Sequence, residues 1–220
     1  MSDMVTVALS KGKLLHPTLE MFRKAGYCGP DISSDDRRLV YEAPEAGVIF
    51  LMVRPSDVPT YVEYGAADVG VAGKDLLLEQ GLDVYEPLDL RIGGCRISVA
   101  ALQGAEGPTR MSSKVRVATK YPHITEQYFN QQGIPVEIIK LYGSMELAPL
   151  VGLADRIVDL VSSGQTLRAN NLVETDVIAW STARLIVNRA SLKMKHDVMS
   201  KMIRQLKKSR PPDTTPKEFQ

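Results

Sequence analysis

Glu146–Leu167 reads ELAPLVGLADRIVDLVSSGQTL, and the fold class turns on this stretch. A short apolar helical piece opens it, with Pro149 early, where a missing N–H is tolerated. Gly152-Leu153-Ala154-Asp155 reads as a helix stop and turn. Arg156–Val161 carries the β-branched residues Ile157, Val158 and Val161 around one acid, Asp159, and reads as a short buried strand. Ser162-Ser163-Gly164-Gln165-Thr166 follows at once, and a helix is expected from Leu167. Strand, small polar loop and helix gather backbone N–H groups at the positive end of a helix dipole, an arrangement that suits a phosphate. Gly164 admits close backbone approach, and Ser163 and Thr166 add hydroxyl donors. The residues alone leave a second reading open, an ordinary helix N-cap.

Working outward, the N-terminal half shows the same alternation. Val5–Leu9 reads as a strand, Ser10-Lys11-Gly12-Lys13 as its loop, and Leu14–Ala25 as an amphipathic helix stopped by Gly26. The loop is an anion-binding candidate but no Walker motif, because the first glycine and the Lys-Ser/Thr ending are absent. Leu39–Glu42 and Val48–Val53 are strands, the second ending at Arg54-Pro55 before a helix over Val58–Tyr64. Gly65-Ala66-Ala67-Asp68, a strand Val69–Ala72, Gly73 and a helix then parallel Gly152-Leu153-Ala154-Asp155, a strand, Gly164 and a helix. Either two α/β lobes share one plan, or a helix–glycine–strand pattern common to α/β proteins has recurred.

Further strands are expected at Val84–Leu88, Cys95–Leu102, Lys114–Thr119 and Val136–Leu141, with a helix from Lys120-Tyr121-Pro122 to Gln132. Gly104, Gly107 and Pro108 within residues 103–113 mark a crossing between lobes. Val177–Trp180 and Ala183–Val187 read as strands returning toward the first lobe, and Ser191–Lys208 as one amphipathic helix. The expected organisation is residues 1–105 with 185–208 as the first lobe, 106–184 as the second, and 209–220 as a loose, proline-containing tail.

Composition narrows the function classes. With 220 residues, 44% hydrophobic, the chain supports one large domain or two lobes. A net charge of +1 gives no case for a nucleic-acid surface. Two cysteines and three scattered histidines supply neither a disulfide framework nor metal-ligand spacing. No signal-peptide pattern and no membrane span are visible, so a soluble cytoplasmic protein is expected.

The opening stretch resembles the signature of the ATP phosphoribosyltransferase family, through Glu146, Gly152, Ala154, Ile157, Asp159, Leu160, Ser163, Gly164, Thr166 and Leu167. The resemblance covers nearly the whole chain to about Lys208. It implies a two-lobed fold of periplasmic-binding-protein type II-like architecture, with the active site in the cleft between the lobes. The implied reaction joins ATP to 5-phosphoribosyl-1-pyrophosphate and releases pyrophosphate, the first step of histidine biosynthesis. Adenine N1 attacks the ribose C1, so no side chain need be a nucleophile. Oxocarbenium character and charge on the leaving pyrophosphate call for cations, Mg²⁺ carried with the substrates, phosphate donors and carboxylates near the ribose.

On this basis the catalytic candidates are Lys13, Arg37, Glu146 and Asp159. Arg37 stands in Asp35-Asp36-Arg37-Arg38, where the doubled arginine leaves the register open by one. Asp159, Ser162, Ser163, Gly164, Gln165 and Thr166 would bind phosphoribosyl pyrophosphate, and Ser10, Lys11, Lys13, Arg54, Asp68, Gly70, Lys120 and Tyr121 would bind ATP. Competing readings are a turn-former at Asp68, a helix cap or an Asp57 ion pair at Arg54, and a packed aromatic at Tyr121. The length resembles that of the short form, which implies a regulatory subunit similar to a histidyl-tRNA synthetase and a homodimer within a hetero-oligomer. The rival function is a non-catalytic two-lobed protein that binds a small anion or an amino acid.

Overall fold

The computed structural model describes residues 4–29, 32, 37–105 and 114–213. The chain divides into two compact units. The second comprises Cys95–Ser181 together with Leu78–Gln80, and the remaining described residues form the first.

In the first unit, β1 (Val5–Ser10), β2 (Val40–Ala43), β3 (Val48–Val53), β4 (Val69–Gly73), β5 (Tyr85–Asp89) and a late strand, Ala183–Val187, form one sheet. The period-2 pattern of β1 sends Val5, Val7 and Leu9 to one face and Ala8 to the other. The first face is covered by α1 (Leu15–Lys24), through Leu15, Met21 and Phe22. The other is covered by α2 (Val58–Glu63), through Val58 and Val62. A third helix, α3 (Lys74–Gln80), follows β4 directly.

In the second unit, β6 (Cys95–Leu102), β7 (Val115–Thr119), β8 (Val136–Lys140), β9 (Arg156–Val161) and β10 (Leu172–Ser181) form the other sheet, in the order β10-β6-β9-β7-β8. With β10 assigned, the late strand of the first sheet is β11, and that sheet runs β2-β3-β1-β4-β11-β5. α4 (Pro122–Gln131) packs Ile124 and Phe129 on one face of the second sheet. α5 (Leu147–Leu150) and α6 (Gln165–Ala169) pack Ala148 and Leu167 on the other.

Several boundaries differ from the sequence expectation. The first crossing comes before β6, because β6 pairs with β9 and β10 rather than with the first sheet. Val177–Trp180 belongs to the long β10 of the second sheet, so β11 alone returns to the first. α6 begins at Gln165 and ends before Asn171, two residues ahead of expectation, because Gly164 in left-handed conformation (φ 69°) starts it. The last helix is two, α7 (Arg189–Met194) and α8 (His196–Ser209), broken at Lys195. The segment after α8 is tied down: Arg210 donates to the Asp89 carbonyl at 3.3 Å, and Asp213 pairs with Arg91 at 3.1 Å. Residues 106–113 of the expected crossing at 103–113, the acids Asp35 and Asp36, and residues 214–220 of the tail lie outside the described residues.

Candidate active site

Parallel strands gather the loops that follow them at one edge, and open α/β sheets bind ligands where the strand order reverses. In the second unit, β7 is parallel to both β8 and β9. The chain runs from β7 to β8 on one side, then returns past β7 to β9. Lys120, Glu146 and residues 162–166 therefore follow the carboxyl ends of β7, β8 and β9.

The loop from Ser162 to Thr166 is exposed except at half-buried Gly164, while Leu167 is buried and anchors α6. The first N–H groups of a helix have no intrahelical partner, so donors face outward here. The Gln165 N–H lies 3.4 Å from the Ser163 hydroxyl. Two arginines hold the loop's carbonyls: Arg96 donates to the Ser162 oxygen at 3.1 Å and Arg168 to the Ser163 oxygen at 3.0 Å. Asp159, half-buried on β9, accepts from the Leu160 N–H at 2.8 Å. Glu146 is half-buried at the start of α5 and has no hydrogen bond or ion pair among the described residues. Lys120 is exposed, its ammonium 5.8 Å from the centroid of Tyr121.

In the first unit, β1 lies between the parallel strands β3 and β4, and the same reversal occurs. Ser10 pairs with Val53, which sets the Ser10–Lys13 loop beside Arg54. Lys11 and Arg54 line a depression of ≈ 410 Å³ with Leu39, Tyr61 and Asp57. Lys13 is exposed beyond it, and Ser10 is buried at the strand end. Arg37 is exposed, whereas the Arg38 guanidinium sits 4.9 Å over the Tyr41 ring.

Three residues expected at the ATP site are buried rather than placed on the exposed loops. Asp68 precedes β4, at the opposite end of the strand from its loop, and is buried. Its carboxylate accepts from the Thr6 N–H at 2.9 Å and from Lys195 at 2.7 Å. Gly70 is buried in mid-strand; a Cβ there would stand 2.7 Å from Val62 and 2.8 Å from Val58, so glycine lets α2 seat on the sheet. Tyr121 is 1% exposed among Ile124, Phe129 and Val158, a core aromatic at a helix start.

Sequence reasoning missed Arg96, Glu174 and Arg168 around the loop. Arg96 lies 66 residues from Ser162 and 78 from Glu174, so no local spacing announces the cluster. It also missed Arg116, whose guanidinium grips Asp155 at 2.8 Å. Hydrogen bonding from Arg116 holds the Asp155 carboxyl below the usual carboxylate value, against the opposing effect of burial.

Two α/β units, each ending in a loop cluster, one cationic and one rich in small donors flanked by acids, define a class built to handle phosphorylated substrates. A model of the ATP phosphoribosyltransferase family matches residues 54–208. The chain is 57% identical over 211 residues to the ATP phosphoribosyltransferase of Syntrophotalea carbinolica, covering 94% of this chain and 96% of that protein. It is 56% identical to that of Acidithiobacillus ferrooxidans, covering 94% and 97%. Among solved structures it resembles a chain of the ATP phosphoribosyl transferase (HisG:HisZ) complex from Thermotoga maritima, with TM-score 0.82 and 33% identity, covering 94% of this chain and 98% of that one. The chain belongs to the ATP phosphoribosyltransferase family. It is a transferase of the first step of histidine biosynthesis, with a fold of periplasmic-binding-protein type, and a purely binding role is not favoured.

Proposed function

We propose that this chain catalyses attack of adenine N1 of ATP on C1 of 5-phosphoribosyl-1-pyrophosphate, using its own loops as follows. The Ser162–Thr166 loop takes the 5-phosphate, and Asp159 accepts from the ribose hydroxyls. Glu146, free of described partners, is a second carboxylate for the ribose and the developing positive charge. Lys11, Lys13 and Arg54 serve the phosphates of ATP, and Arg37 the leaving pyrophosphate with the Mg²⁺ carried in by the substrates. Arg37 is preferred to Arg38, because Arg38 is engaged with Tyr41. Asp68, Gly70 and Tyr121 take no ligand. The observation that carries the assignment is the left-handed glycine at 164 between β9 and α6, with the loop's carbonyls held by arginines. Pyrophosphate release should require both ATP and phosphoribosyl pyrophosphate; release with either omitted sinks the reading.

The neighbour from Thermotoga maritima is described as a HisG:HisZ complex, which supports a regulatory partner here. The proposed assembly is a homodimer of this chain within a hetero-oligomer, in the cytoplasm, with feedback by histidine supplied by a subunit resembling histidyl-tRNA synthetase. Among the described residues, no helix is long and apolar enough to cross a membrane. The purified chain should be insensitive to millimolar histidine until the candidate subunit is added. Strong inhibition of the chain alone sinks the short-form reading, and no response after addition sinks the partner.

A further inference from the structure

We infer that Arg96, clamped by Glu174, is a positioning residue that sets the peptide planes of the phosphate loop. The inference rests on the reading that residues 162–166 receive the 5-phosphate. Arg96 stands on β6 directly across from Val161, the last residue of β9. Its side chain is 28% exposed and that of Glu174 on β10 is 24% exposed. The guanidinium Nε lies 2.8 and 2.9 Å from the two Glu174 carboxylate oxygens. One terminal nitrogen reaches the Ser162 carbonyl at 3.1 Å. With its fork divided between carboxylate and carbonyl, Arg96 is a brace rather than a phosphate ligand.

The physical consequence lies in the peptide. In a trans peptide the C=O and the following N–H point in opposite directions. Holding the Ser162 oxygen toward Arg96 therefore directs the Ser163 N–H to the other side. Arg168 does the same one residue later, holding the Ser163 oxygen at 3.0 Å and so turning the Gly164 N–H. Gly164 then adopts φ 69° and ψ 11°, and successive N–H groups around such a residue form an anion-binding concavity. Without the two arginines, the carbonyls of 162 and 163 are free to rotate toward an incoming phosphate and repel it. Arg168 also brings a positive charge to the loop, whereas that of Arg96 is offset by Glu174.

The test compares ligands that share or lack the 5-phosphate. Arg96→Met keeps the side-chain stem and removes the donors. Arg96→Met combined with Glu174→Met removes the pair without stranding the carboxylate. Each folded variant is titrated calorimetrically with ribose 5-phosphate, with phosphoribosyl pyrophosphate and with ATP. Both variants should bind the first two about tenfold more weakly, ~1.4 kcal/mol, with ATP affinity within about twofold of the parent. Arg96→Lys keeps the charge but cannot span both partners, and should not restore binding. Gly164→Val is titrated in parallel. Parent-like ribose 5-phosphate binding by both Arg96 variants, with Gly164→Val weakened, overturns the Arg96 inference alone. Parent-like binding by Gly164→Val overturns the loop reading beneath it. Equal weakening of ATP in the Arg96 variants, or full rescue by lysine, also overturns the positioning role.

Discussion

The two units are the same device built twice. The first sheet, after its edge strand β2, runs β3-β1-β4-β11-β5, and the second runs β8-β7-β9-β6-β10. Strand senses agree place by place: first two parallel pairings, then two antiparallel ones. The agreement reaches single hydrogen bonds. Asp68 donates its N–H to the Thr6 carbonyl and accepts the Thr6 N–H on its carboxylate, both at 2.9 Å. Asp155 does the same with Arg116, at 2.8 and 2.9 Å. In each case the aspartate closes a Gly-x-Ala-Asp turn whose glycine is left-handed, with φ 73° at Gly65 and 71° at Gly152. The units differ in what neutralises the aspartate. In the first it is Lys195, from the break between α7 and α8; in the second it is the neighbouring strand's own Arg116. They differ more at the other end of the strands, where the first unit presents Lys11, Lys13 and Arg54 and the second presents Gly164, hydroxyls and two acids. The amino edge of each sheet carries the shared aspartate clamp, and the loops at the carboxyl edge are where the two units differ.

The largest effect should come from breaking the clamp that reaches across the first unit. Asp68→Ala strands the Thr6 N–H and the half-buried Lys195, and should cost about 3 kcal/mol. Asp155→Ala, whose ion pair is more exposed, should cost roughly half as much. Urea unfolding of both variants measures the difference; equal losses would deny that the deeper burial of the first clamp sets its larger contribution. At the carboxyl edges, Arg37→Ala should lower kcat about a hundredfold, roughly 2.7 kcal/mol, with a smaller rise in KM. Arg38→Ala should do much less, and steady-state kinetics showing the reverse would move the first unit's active arginine by one residue.

Gly164→Val should weaken phosphoribosyl pyrophosphate binding about tenfold, ~1.4 kcal/mol, while the protein stays folded. The left-handed φ opposes any β-branched side chain, and a Cβ there lies 3.1 Å from Arg168. Calorimetry reads it, and unchanged affinity would make this loop no different from a simple cap. The smallest effect concerns pH. The folded pKa of Asp155 is depressed by Arg116, so its contribution is present above the unfolded value near 4 and is lost as pH falls through the depressed one. Asp155→Asn should therefore lose about 0.5–1 kcal/mol at neutral pH. The gap between parent and variant should narrow progressively as pH falls below about 4, and denaturant unfolding at pH 7 and at a series of acid pH values tests this.

Much of this was legible in the residues. Val48–Val53, Arg156–Val161 and Cys95–Leu102 are strands with the bounds that β-branching and flanking turn residues indicate. The repeated Gly-x-Ala-Asp leaves two readings open, and the matching strand orders decide for two units on one plan. For Asp68 both a ligand and a turn-forming role are open, because a motif placed before a strand looks the same in sequence whether its side chain meets a substrate or the next strand; the structure places its carboxylate on Thr6 and Lys195. Tyr121 is open for a related reason: an aromatic beside a lysine at a helix start carries no mark of which face it will occupy, and the structure buries it.

The sequence by itself determined the alternation of strands and helices, the glycine that turns the loop of residues 162–166, and the family to which the chain belongs. These depend on side-chain period, backbone freedom at glycine and residues close together in the chain, all local properties. Only the tertiary structure decided which sheet β6 and β10 join, that Lys195 neutralises Asp68, and that Arg96 braces Ser162. The Asp68 and Arg96 contacts join residues 127 and 66 positions apart. Strand pairing and ion pairing over such distances are settled by which surfaces meet once the chain has packed, and no spacing within the chain records that outcome.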